Sequence, residues 1–260
     1  MAQRNLIETR RRNIANYIET NGRAEISELV KKFNATEFTI RRDLIFLENS
    51  GTIVRTHGGA IKREREKSIW QTTAISSRLN KNRDLKERIG ALAATLINDN
   101  ESLMIDGGST TQIFASYLKE KHHLLSVTTS PRIAEIMLDS EDSNVILIGG
   151  ELLRGTYMVS GTDAQEQLQK YYVDKCIISV TGAEPEVGCY AAIPEEATLK
   201  RLMIEHARES ILVIDNTKFK RRGFCIAFPF SKVDVVVTDS MVDKSILEKL
   251  QEQGIKVYLA

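Results

Sequence analysis

The stretch from residue 26 to residue 60 constrains the fold most, because it predicts two short helices followed by a hairpin. Thr36 is placed to cap the second helix, which is expected to end near Asn49. The β-branched residues at 52–54 favour a short strand, and Gly58-Gly59 allows a tight return. This order of elements predicts a helix-turn-helix followed by a wing.

The outward face of the second predicted helix is unusual for a helix that only needs to be soluble. Its inward face is aliphatic and consists of Ile40, Leu44 and Leu47. On a wheel of about 100° per residue, Phe38 and Arg42 fall nearly opposite that face, flanked by Thr39 and Arg41. Such a surface suits the major groove of DNA. A small helical domain whose charged face is merely solvated is the alternative that the spacing leaves open.

The distribution of charge favours a nucleic-acid partner for the front of the chain only. Residues 1–66 hold thirteen Lys and Arg against nine Asp and Glu, whereas the remainder holds 23 against 26. A basic head on an acidic body is expected when only the head meets phosphates. The run 10–12, three arginines within a helix predicted at 4–21, either touches the DNA backbone or forms a solvated face.

Several other classes of site and protein are disfavoured by composition. The three cysteines, Cys176, Cys189 and Cys225, are far apart and lack the paired spacing of metal ligands. The histidine pair at 122–123 also lacks partners in a ligand pattern. No apolar run approaches the roughly 18 residues of a membrane span, and the charged start is not a signal peptide. We therefore expect a cytoplasmic protein without a metal, a cofactor or a membrane segment.

From residue 84 onward, buried-strand patterns alternate with helical spacing. Strand-like runs lie at 102–105, 124–128, 145–148, 177–180, 211–214, 233–237 and 256–259. Helical segments between them lie near 131–138, 163–170, 195–207 and 243–252. This alternation predicts a wound, largely parallel α/β sheet. We expect a winged helix-turn-helix domain at 1–61, a linker at 62–83 and the α/β domain at 84–260.

Hydroxyl-rich turns follow the predicted strands, and ligands of wound sheets bind beyond the carboxyl ends of the strands. Residues 106–111 combine an aspartate, two glycines and three hydroxyl side chains at the start of a helix. Residues 128–131 add hydroxyls, residues 149–151 add glycines, and Lys218 adds a cation. Amides, hydroxyls and one lysine suit a phosphorylated sugar or polyol. For 106–111 alone, an ordinary strand-to-helix turn with capping side chains is the alternative.

Three separated signatures resemble the DeoR family of bacterial transcriptional regulators. They read TEFTIRRDL at 36–44, LENSG at 47–51 and RTHGGA at 55–60. The strand-end motifs of the second domain are similar to the family's C-terminal sensor domain, so the resemblance covers about 4–258. It implies a DNA-binding regulator rather than an enzyme, with a sensor similar to ribose-phosphate isomerase folds that binds phosphorylated sugars.

The resemblance implies specific effector contacts when it is carried over by position. They are Asp106, Gly108, Ser109, Thr110, Thr111, Thr128, Ser130, Gly149, Gly150 and Lys218. Glu196, which helps to open a predicted helix, is a further candidate for a hydroxyl contact. Thr129 stands where family members commonly have Asn, and the sequence of the turn at 181–188 differs from the one common in the family. We therefore expect the contacts there to differ.

The candidate DNA-binding residues belong to the second helix and the wing. They are Thr36, Phe38, Thr39, Arg41, Arg42, Arg55 and His57. Arg42 is expected to reach guanine and Phe38 a thymine methyl, while Asp43 pins an arginine and the others hold phosphates or lie in the wing. Paired heads of a homodimer or homotetramer are expected to bind inverted or direct repeats in an operator.

Two other classes of protein compete with a ligand-controlled regulator. A sugar-phosphate enzyme could use Asp106, Glu151, Glu196 or Asp215 as a base, but no acid–base pair lies close in sequence and no nucleophile motif is present. A constitutive architectural DNA-binding protein does not need hydroxyl-lined strand ends. We expect a repressor of a sugar or polyol catabolic operon, relieved by its effector.

Overall fold

The computed structural model describes residues 2–49, 52–56, 58–62 and 75–260. The chain forms two compact units, Met1–Glu66 and Lys67–Ala260, which we call the N-terminal unit and the C-terminal unit. None of the described helices is long and apolar enough to cross a membrane.

The N-terminal unit is a winged helix-turn-helix. Its elements are α1 (Ala2–Asn21), β1 (Arg23–Glu25), α2 (Ile26–Phe33), α3 (Glu37–Asn49), β2 (Ile53–Arg55) and β3 (Gly59–Lys62). The strands pair antiparallel in the order β1-β3-β2. The hairpin of β2 and β3 confirms the predicted wing. Strand β1 was not predicted, because three residues are too few to show a period of two.

Helical spacing of aliphatic residues builds the core of the N-terminal unit. Ile14 and Ile18 of α1 are fully buried together with Leu29 of α2 and Ile40 of α3. Asn34 ends α2 in the left-handed conformation, with a φ of 46°, and turns the chain toward α3. The aliphatic face of α3 therefore points into the core, and the face predicted for DNA points outward.

The C-terminal unit is a wound α/β fold, as the alternating pattern predicts. Its helices are α4 (Ile75–Asn80), α5 (Arg83–Ala94), α6 (Ser109–Ser116), α7 (Pro131–Met137), α8 (Thr162–Leu168), α9 (Pro194–Glu205) and α10 (Lys244–Glu252). Its strands are β4 (Ser102–Ile105), β5 (Leu125–Thr128), β6 (Asn144–Leu147), β7 (Glu151–Leu152), β8 (Val159–Ser160), β9 (Val173–Ile178), β10 (Gly182–Glu184), β11 (Gly188–Ala191), β12 (Ala207–Val213), β13 (Cys225–Phe228), β14 (Val235–Thr238) and β15 (Lys256–Leu259). Seven of these strands form one parallel sheet in the order β15-β14-β12-β9-β4-β5-β6.

Helices cover both faces of the seven-stranded sheet. Helices α5, α6 and α7 pack on one face, where Ile105 and Ile177 are fully buried. Helices α8, α9 and α10 pack on the other face, where the neighbouring residues Met104 and Cys176 are fully buried. Because both faces are covered, the strands read as continuous apolar runs, which explains why the sequence predicts all seven.

The structure differs from the sequence-based prediction in three places. Strands β7 and β8 form a short hairpin, and β10, β11 and β13 form a separate antiparallel sheet. These strands are only two to four residues long, so an alternating pattern has too few residues to stand out. The predicted linker at 62–83 begins with Lys62 in β3 and contains α4, which packs against α6. The polar composition of this stretch gave no sequence signal for α4.

The order of the parallel strands creates a topological switch point next to β4. The chain runs from β4 to β5 and β6 on one side, and then returns to place β9 on the other side of β4. In wound sheets, ligands bind in the crevice that such a reversal opens at the carboxyl ends of the strands. The carboxyl ends of β4 and β9 are therefore where a ligand site is expected.

Candidate nucleic-acid interface and ligand site

The exposed face of α3 carries the two side chains predicted to contact bases. Phe38 is 77% exposed. Arg42 is also exposed and forms no hydrogen bond or ion pair with any residue that the structure describes. An exposed aromatic ring and an unpaired guanidinium are thus available to a partner on the same face of the helix. Contact of either residue with DNA stays a prediction.

Thr36 and Thr39 lie together at the start of α3. The Thr36 hydroxyl accepts a hydrogen bond from the backbone N–H of Thr39 at 3.3 Å, so it caps the helix as predicted. The two threonine hydroxyls lie 2.9 Å apart. Neither arrangement prevents a hydroxyl from also reaching a phosphate.

The remaining predicted DNA contacts are partly engaged within the unit. The Arg41 guanidinium lies 2.6 Å from the Glu37 carboxylate, and the Arg55 guanidinium lies 3.5 Å from the Glu48 carboxylate. Both pairs are solvent-accessible, so a DNA phosphate can compete with the carboxylate at little cost. His57 lies outside the described residues.

Asp43 joins α3 to α1. It is 2% exposed, and its two carboxylate oxygens accept from Arg10 Nε at 2.7 Å and from Arg11 Nε at 2.8 Å. The Arg11 guanidinium also lies 3.9 Å from the centre of the Phe46 ring. The prediction that Asp43 pins an arginine is confirmed, with two arginines rather than one. Asp43 thus fixes the Arg10 and Arg11 guanidiniums against α3, the helix whose exposed face is predicted to contact DNA.

In the C-terminal unit, Asp106 lies fully buried at the carboxyl end of β4. Its Oδ2 accepts hydrogen bonds from the Ser179 backbone N–H at 3.1 Å and from the Ser179 hydroxyl at 2.8 Å. Its Oδ1 pairs with the ammonium group of Lys200 on α9, and the two side chains are 0% and 5% exposed. The ends of β4 and β9 and the helix α9 are therefore tied together at the switch point.

Two predicted hydroxyl groups serve the backbone of the site. The Thr111 hydroxyl donates to the carbonyl oxygens of Asp106 and Gly108, which lie in the turn after β4. The Thr128 hydroxyl donates to the Ile105 carbonyl at 2.7 Å and accepts from the Ser130 backbone N–H at 3.1 Å. These bonds fix the turns after β4 and β5 beside one another.

The remaining side chains of these turns are buried as well, and two of their hydroxyls have no partner. Ser130 caps α7 by accepting from the Ile133 N–H at 3.4 Å, and Ser109 is buried beside Thr110 in the first turn of α6. The hydroxyl oxygens of Thr110 and Thr129 are fully buried without a hydrogen-bond partner among the described residues. Unsatisfied buried hydroxyls cost free energy, so they mark positions where a ligand or water completes the bonding.

Glu196 adds an unsatisfied acceptor on α9. It is 3% exposed, and its Oε1 has no hydrogen-bond partner among the described residues. Glu196 and Lys200 are four residues apart and therefore lie on the same face of the helix. Because Lys200 contacts Asp106, this face of α9 borders the switch point.

Lys218 lies in a single 3₁₀ turn, Asn216–Lys218, that follows β12. Its ammonium group donates to the Val180 carbonyl oxygen at 2.8 Å, just beyond β9. Burial of the ammonium lowers the pKa of Lys218 to about 8, and the nearby Asp215 carboxylate opposes that shift. A cation thus lies close to the end of β9, and its contact with an effector stays a prediction.

Three further cations that were not predicted from the sequence lie near Lys218. The charges of Arg78, Lys86 and Lys200 each lower the pKa of Lys218 further. Lys86 is buried and donates to the Arg78 and Lys81 carbonyl oxygens. No local sequence signal marks these residues, because they come from three separate helices.

Two of the three predicted glycines, Gly108 and Gly150, are required by close packing. A Cβ atom on Gly108 would lie 1.8 Å from the Ser179 hydroxyl oxygen. Gly150 has a φ of +145°, and a Cβ there would lie 2.5 Å from the Ser160 carbonyl oxygen. The backbone N–H and carbonyl of Gly149 bond to the Gln167 side chain at 3.1 and 3.3 Å. Among the described residues, no hydrogen bond joins Gly149 or Gly150 to the Asp106–Lys200 pair.

No metal site accompanies these groups in the part of the chain that the structure describes, since no cluster of three or more His, Cys, Asp or Glu could hold an ion there. The site instead combines cations, the buried carboxylates of Asp106, Glu196 and Asp215, and hydroxyls that have no partner among the described residues. That combination can bind a ligand with an anionic end and a polar body.

A chain that combines a winged helix-turn-helix with a wound α/β unit, whose strand ends carry buried polar groups, has the composition of a ligand-responsive transcriptional regulator. The sequence matches the DeoR-like helix-turn-helix domain over residues 10–66 and the DeoR C-terminal sensor domain over residues 81–240. The chain belongs to the DeoR family. It is a DNA-binding transcriptional regulator with a C-terminal sensor domain.

Similar proteins carry the names of regulators and repressors, not of enzymes. The chain is 29% identical to the HTH-type transcriptional repressor GlcR of Bacillus subtilis, over 94% of this chain and 93% of that protein. It is 30% identical to the glycerol-3-phosphate regulon repressor of Escherichia coli K12, over 97% of this chain and 99% of that protein. The expectation of a regulator rather than a sugar-phosphate enzyme is confirmed by this family.

Solved structures with a similar fold are remote in sequence. Ribose 5-phosphate isomerase A from Methanocaldococcus jannaschii is 17% identical, with a TM-score of 0.40 over 54% of this chain and 55% of that chain. A probable sor operon regulator from Shigella flexneri is 12% identical, with a TM-score of 0.44 over 69% of this chain and 91% of that chain.

Proposed function

We propose that this regulator represses a sugar or polyol catabolic operon and that a phosphorylated sugar or polyol controls its binding to DNA. The main support comes from polar groups at the switch point that have unused hydrogen-bonding capacity. Lys218 offers a cation there, while the hydroxyls of Thr110 and Thr129 and one oxygen of Glu196 are buried without partners among the described residues. A ligand with a phosphoryl group and several hydroxyls complements all of these groups.

Each group of the crevice has a chemical role in this proposal. The Lys218 ammonium pairs with the phosphoryl oxygens, and the Glu196 carboxylate accepts from a hydroxyl of the ligand. The free threonine hydroxyls donate to or accept from the ligand's polar body. Lys200 is held by Asp106, so its charge contributes to the potential of the crevice while Asp106 positions it.

At the other unit, Arg42 donates to a guanine edge and Phe38 contacts a thymine methyl group. Arg41, Arg55, Thr36, Thr39 and His57 contact the backbone or lie in the wing, as proposed from the sequence. Two units in a homodimer or homotetramer bind the repeats of an operator. Effector binding releases the operator only if the effector has different affinities for the two states of the protein.

Thermal unfolding of the full chain tests the ligand class. Phosphorylated sugars and polyols are compared with the same compounds lacking phosphate, and only the phosphorylated form of one compound is expected to raise the Tm. At a concentration of about 100 times Kd, stabilisation of about 2.7 kcal/mol is expected. Equal effects of the two forms, or no effect of any compound, would rule out a phosphate-dependent sensor.

The variant Lys218→Ala tests the assigned cation. It is expected to abolish the effect of the ligand on operator binding while effector-free protein binds the operator as before. The control is Lys220→Ala, since Lys220 is exposed and pairs with Asp243 on the surface. An unchanged ligand response in Lys218→Ala would remove Lys218 from the crevice.

A further inference from the structure

Arg78 is the most unusual cation of the C-terminal unit. It lies on α4, within the stretch that the sequence analysis assigned to a linker. Its Nε and Nη2 atoms are fully buried, and neither has a hydrogen-bond partner among the described residues. Arg78 is half-buried as a whole, so its charge has lost part of its hydration without gaining a hydrogen bond in return, which is costly.

Among the described residues, no hydrogen bond or ion pair supplies an anion to Arg78. Asp215 is a buried carboxylate near Lys86 and Lys218, but its Oδ1 already accepts from Thr217 and from Asn82. Asp106 is already paired with Lys200. Lys86 contacts Arg78 only through the backbone carbonyl, to which it donates. The Arg78 side chain therefore lies near the cations Lys86 and Lys218 and has no anion bonded to it among the described residues.

Helix α4 is attached to the rest of the C-terminal unit at three points. The Ile75 N–H donates to the Gly155 carbonyl at 2.9 Å, in the turn between β7 and β8. Lys86 holds the other end of α4 by donating to the Arg78 and Lys81 carbonyls. The helix also packs against α6, whose first turn carries Ser109, Thr110 and Thr111. Arg78 therefore lies on a helix that contacts α6, and it is close enough to Lys218 to lower the pKa of that lysine, so it borders the proposed effector site.

We propose that Arg78 binds the anionic group of the effector together with Lys218 and that this contact fixes α4 on the C-terminal unit. The inference rests on the proposed function and extends it. Without the anion, the buried charge of Arg78 opposes the docked position of α4. With the anion bound, the charge is paired and docking of α4 is favoured. Binding and docking are therefore linked, and each strengthens the other.

The position of α4 in the chain gives this linkage a consequence for regulation. After Lys62, the last residue of β3, α4 is the first element that the structure describes. When α4 docks or undocks, the point at which the connecting chain leaves the C-terminal unit shifts. Arg78 thus connects occupancy of the crevice to the segment through which the two units are joined.

Calorimetric titration of the full chain tests the ligand role of Arg78. The probes are inorganic phosphate and the phosphorylated compound that gives the largest thermal shift. We expect Arg78→Gln to raise the Kd of both about tenfold to hundredfold, and Arg78→Lys to cause a smaller loss, because lysine keeps the charge but not the planar fork. The matched control is Arg83→Gln, since Arg83 is exposed and pairs with Glu87 on the surface of α5.

Hydrogen exchange of the backbone amides at 75–80 tests the docking role. Saturating ligand is expected to slow this exchange in the wild-type chain and in Arg83→Gln, and to leave it unchanged in Arg78→Gln. Wild-type affinity in Arg78→Gln would overturn the inference, and so would exchange at 75–80 that saturating ligand does not alter in the wild-type chain. Circular dichroism of each variant confirms that a lost response does not come from unfolding.

The two probes separate this inference from the proposed function. If phosphate binds and depends on Arg78 but no sugar phosphate binds more tightly, the anion site stands and the proposed effector class fails. If a sugar phosphate binds the wild-type chain and Arg78→Gln equally well, the effector class stands and the role of Arg78 is overturned. If neither probe binds the wild-type chain, both proposals fail.

Discussion

The two candidate functional surfaces of this regulator are built in opposite ways. On the N-terminal unit, the side chains assigned to DNA project from one helix and are exposed, as the 77% exposure of Phe38 illustrates. In the C-terminal unit, the polar groups come from the ends of separate strands and helices, and Asp106 and Lys200 are almost completely buried. One surface is ready for a large partner, and the other encloses a small one.

This difference shows where charge is costly and where it is not. An exposed arginine such as Arg42 keeps its hydration until DNA arrives, so it needs no partner within the protein. A buried cation must be paired, as Lys200 is with Asp106, or must await a ligand, as we propose for Arg78. Substitutions on the two surfaces should therefore differ in kind as well as in size.

The largest effect is expected for Lys200→Met, which leaves the Asp106 carboxylate buried without its cation. We expect a loss of roughly 3–5 kcal/mol in the free energy of unfolding of the C-terminal unit, measured by urea denaturation. Replacing both members of the pair, by Lys200→Met with Asp106→Asn, should recover part of that loss. If the free energy of unfolding falls no more than it does in the exposed control Lys220→Met, then removal of Lys200 leaves no costly unpaired charge at Asp106.

A smaller effect is expected for Asp43→Ala in the N-terminal unit. Asp43 is itself buried, but Arg10 and Arg11 are 25% and 19% exposed and can return to water. We expect a loss of roughly 2–3 kcal/mol in the unfolding free energy of this unit, together with weaker operator binding. The control is Glu37→Gln, which breaks only the exposed pair with Arg41. Equal stability of Asp43→Ala and the wild type would remove Asp43 as the link between α1 and α3.

Next in size is the effect of Arg42→Ala on base recognition. A lost guanine contact should relax discrimination at one base position by about 1–3 kcal/mol, measured as binding to a set of operator variants. Arg41→Ala should instead weaken binding to all sequences alike. It should also reduce by about one the number of counterions released on binding, which is obtained from the salt dependence of the affinity. Uniform weakening by Arg42→Ala would contradict its assignment to a base edge.

The smallest effect is expected in the pH dependence of effector affinity. The pKa of Lys218 is lowered to about 8, because burial disfavours the charged ammonium. The protonated form that binds phosphate is therefore complete below about pH 7 and is lost as the pH rises through 8. We expect affinity to fall up to about tenfold per pH unit above 8, and Lys218→Arg to bind without this fall if the crevice accommodates it. Affinity that does not change between pH 7 and pH 9 in the wild type would exclude a role for the Lys218 ammonium.

The same contrast explains how much of the structure could be predicted from the sequence. The outward position of Phe38 and Arg42 follows from helical spacing alone, and the seven parallel strands follow from their continuous apolar runs. The turns after β4 and β5 could be placed because strand ends of a wound sheet converge. The fold class was confirmed in both units.

The cations of the crevice could not be predicted in the same way. Arg78, Lys86 and Lys200 lie on three helices, and nothing in their local sequence separates them from surface residues. Asp106 was assigned to the effector, although in the structure its carboxylate is bonded to Ser179 and Lys200. Such pairings depend on how helices pack over the sheet, and a linear pattern does not report that packing.

The central claim is that the N-terminal unit recognises DNA and the C-terminal unit senses the effector. It is tested most directly by letting the full chain select double-stranded DNA from a random library, with and without phosphorylated sugars. We predict enrichment of a repeated sequence motif, and loss of binding to it when one phosphorylated sugar or polyol is added. The selection should give the same motif with Lys218→Ala, but without the response to the added compound. No enrichment of any double-stranded sequence, at low or high salt, would contradict the assignment of the N-terminal unit as a sequence-specific reader.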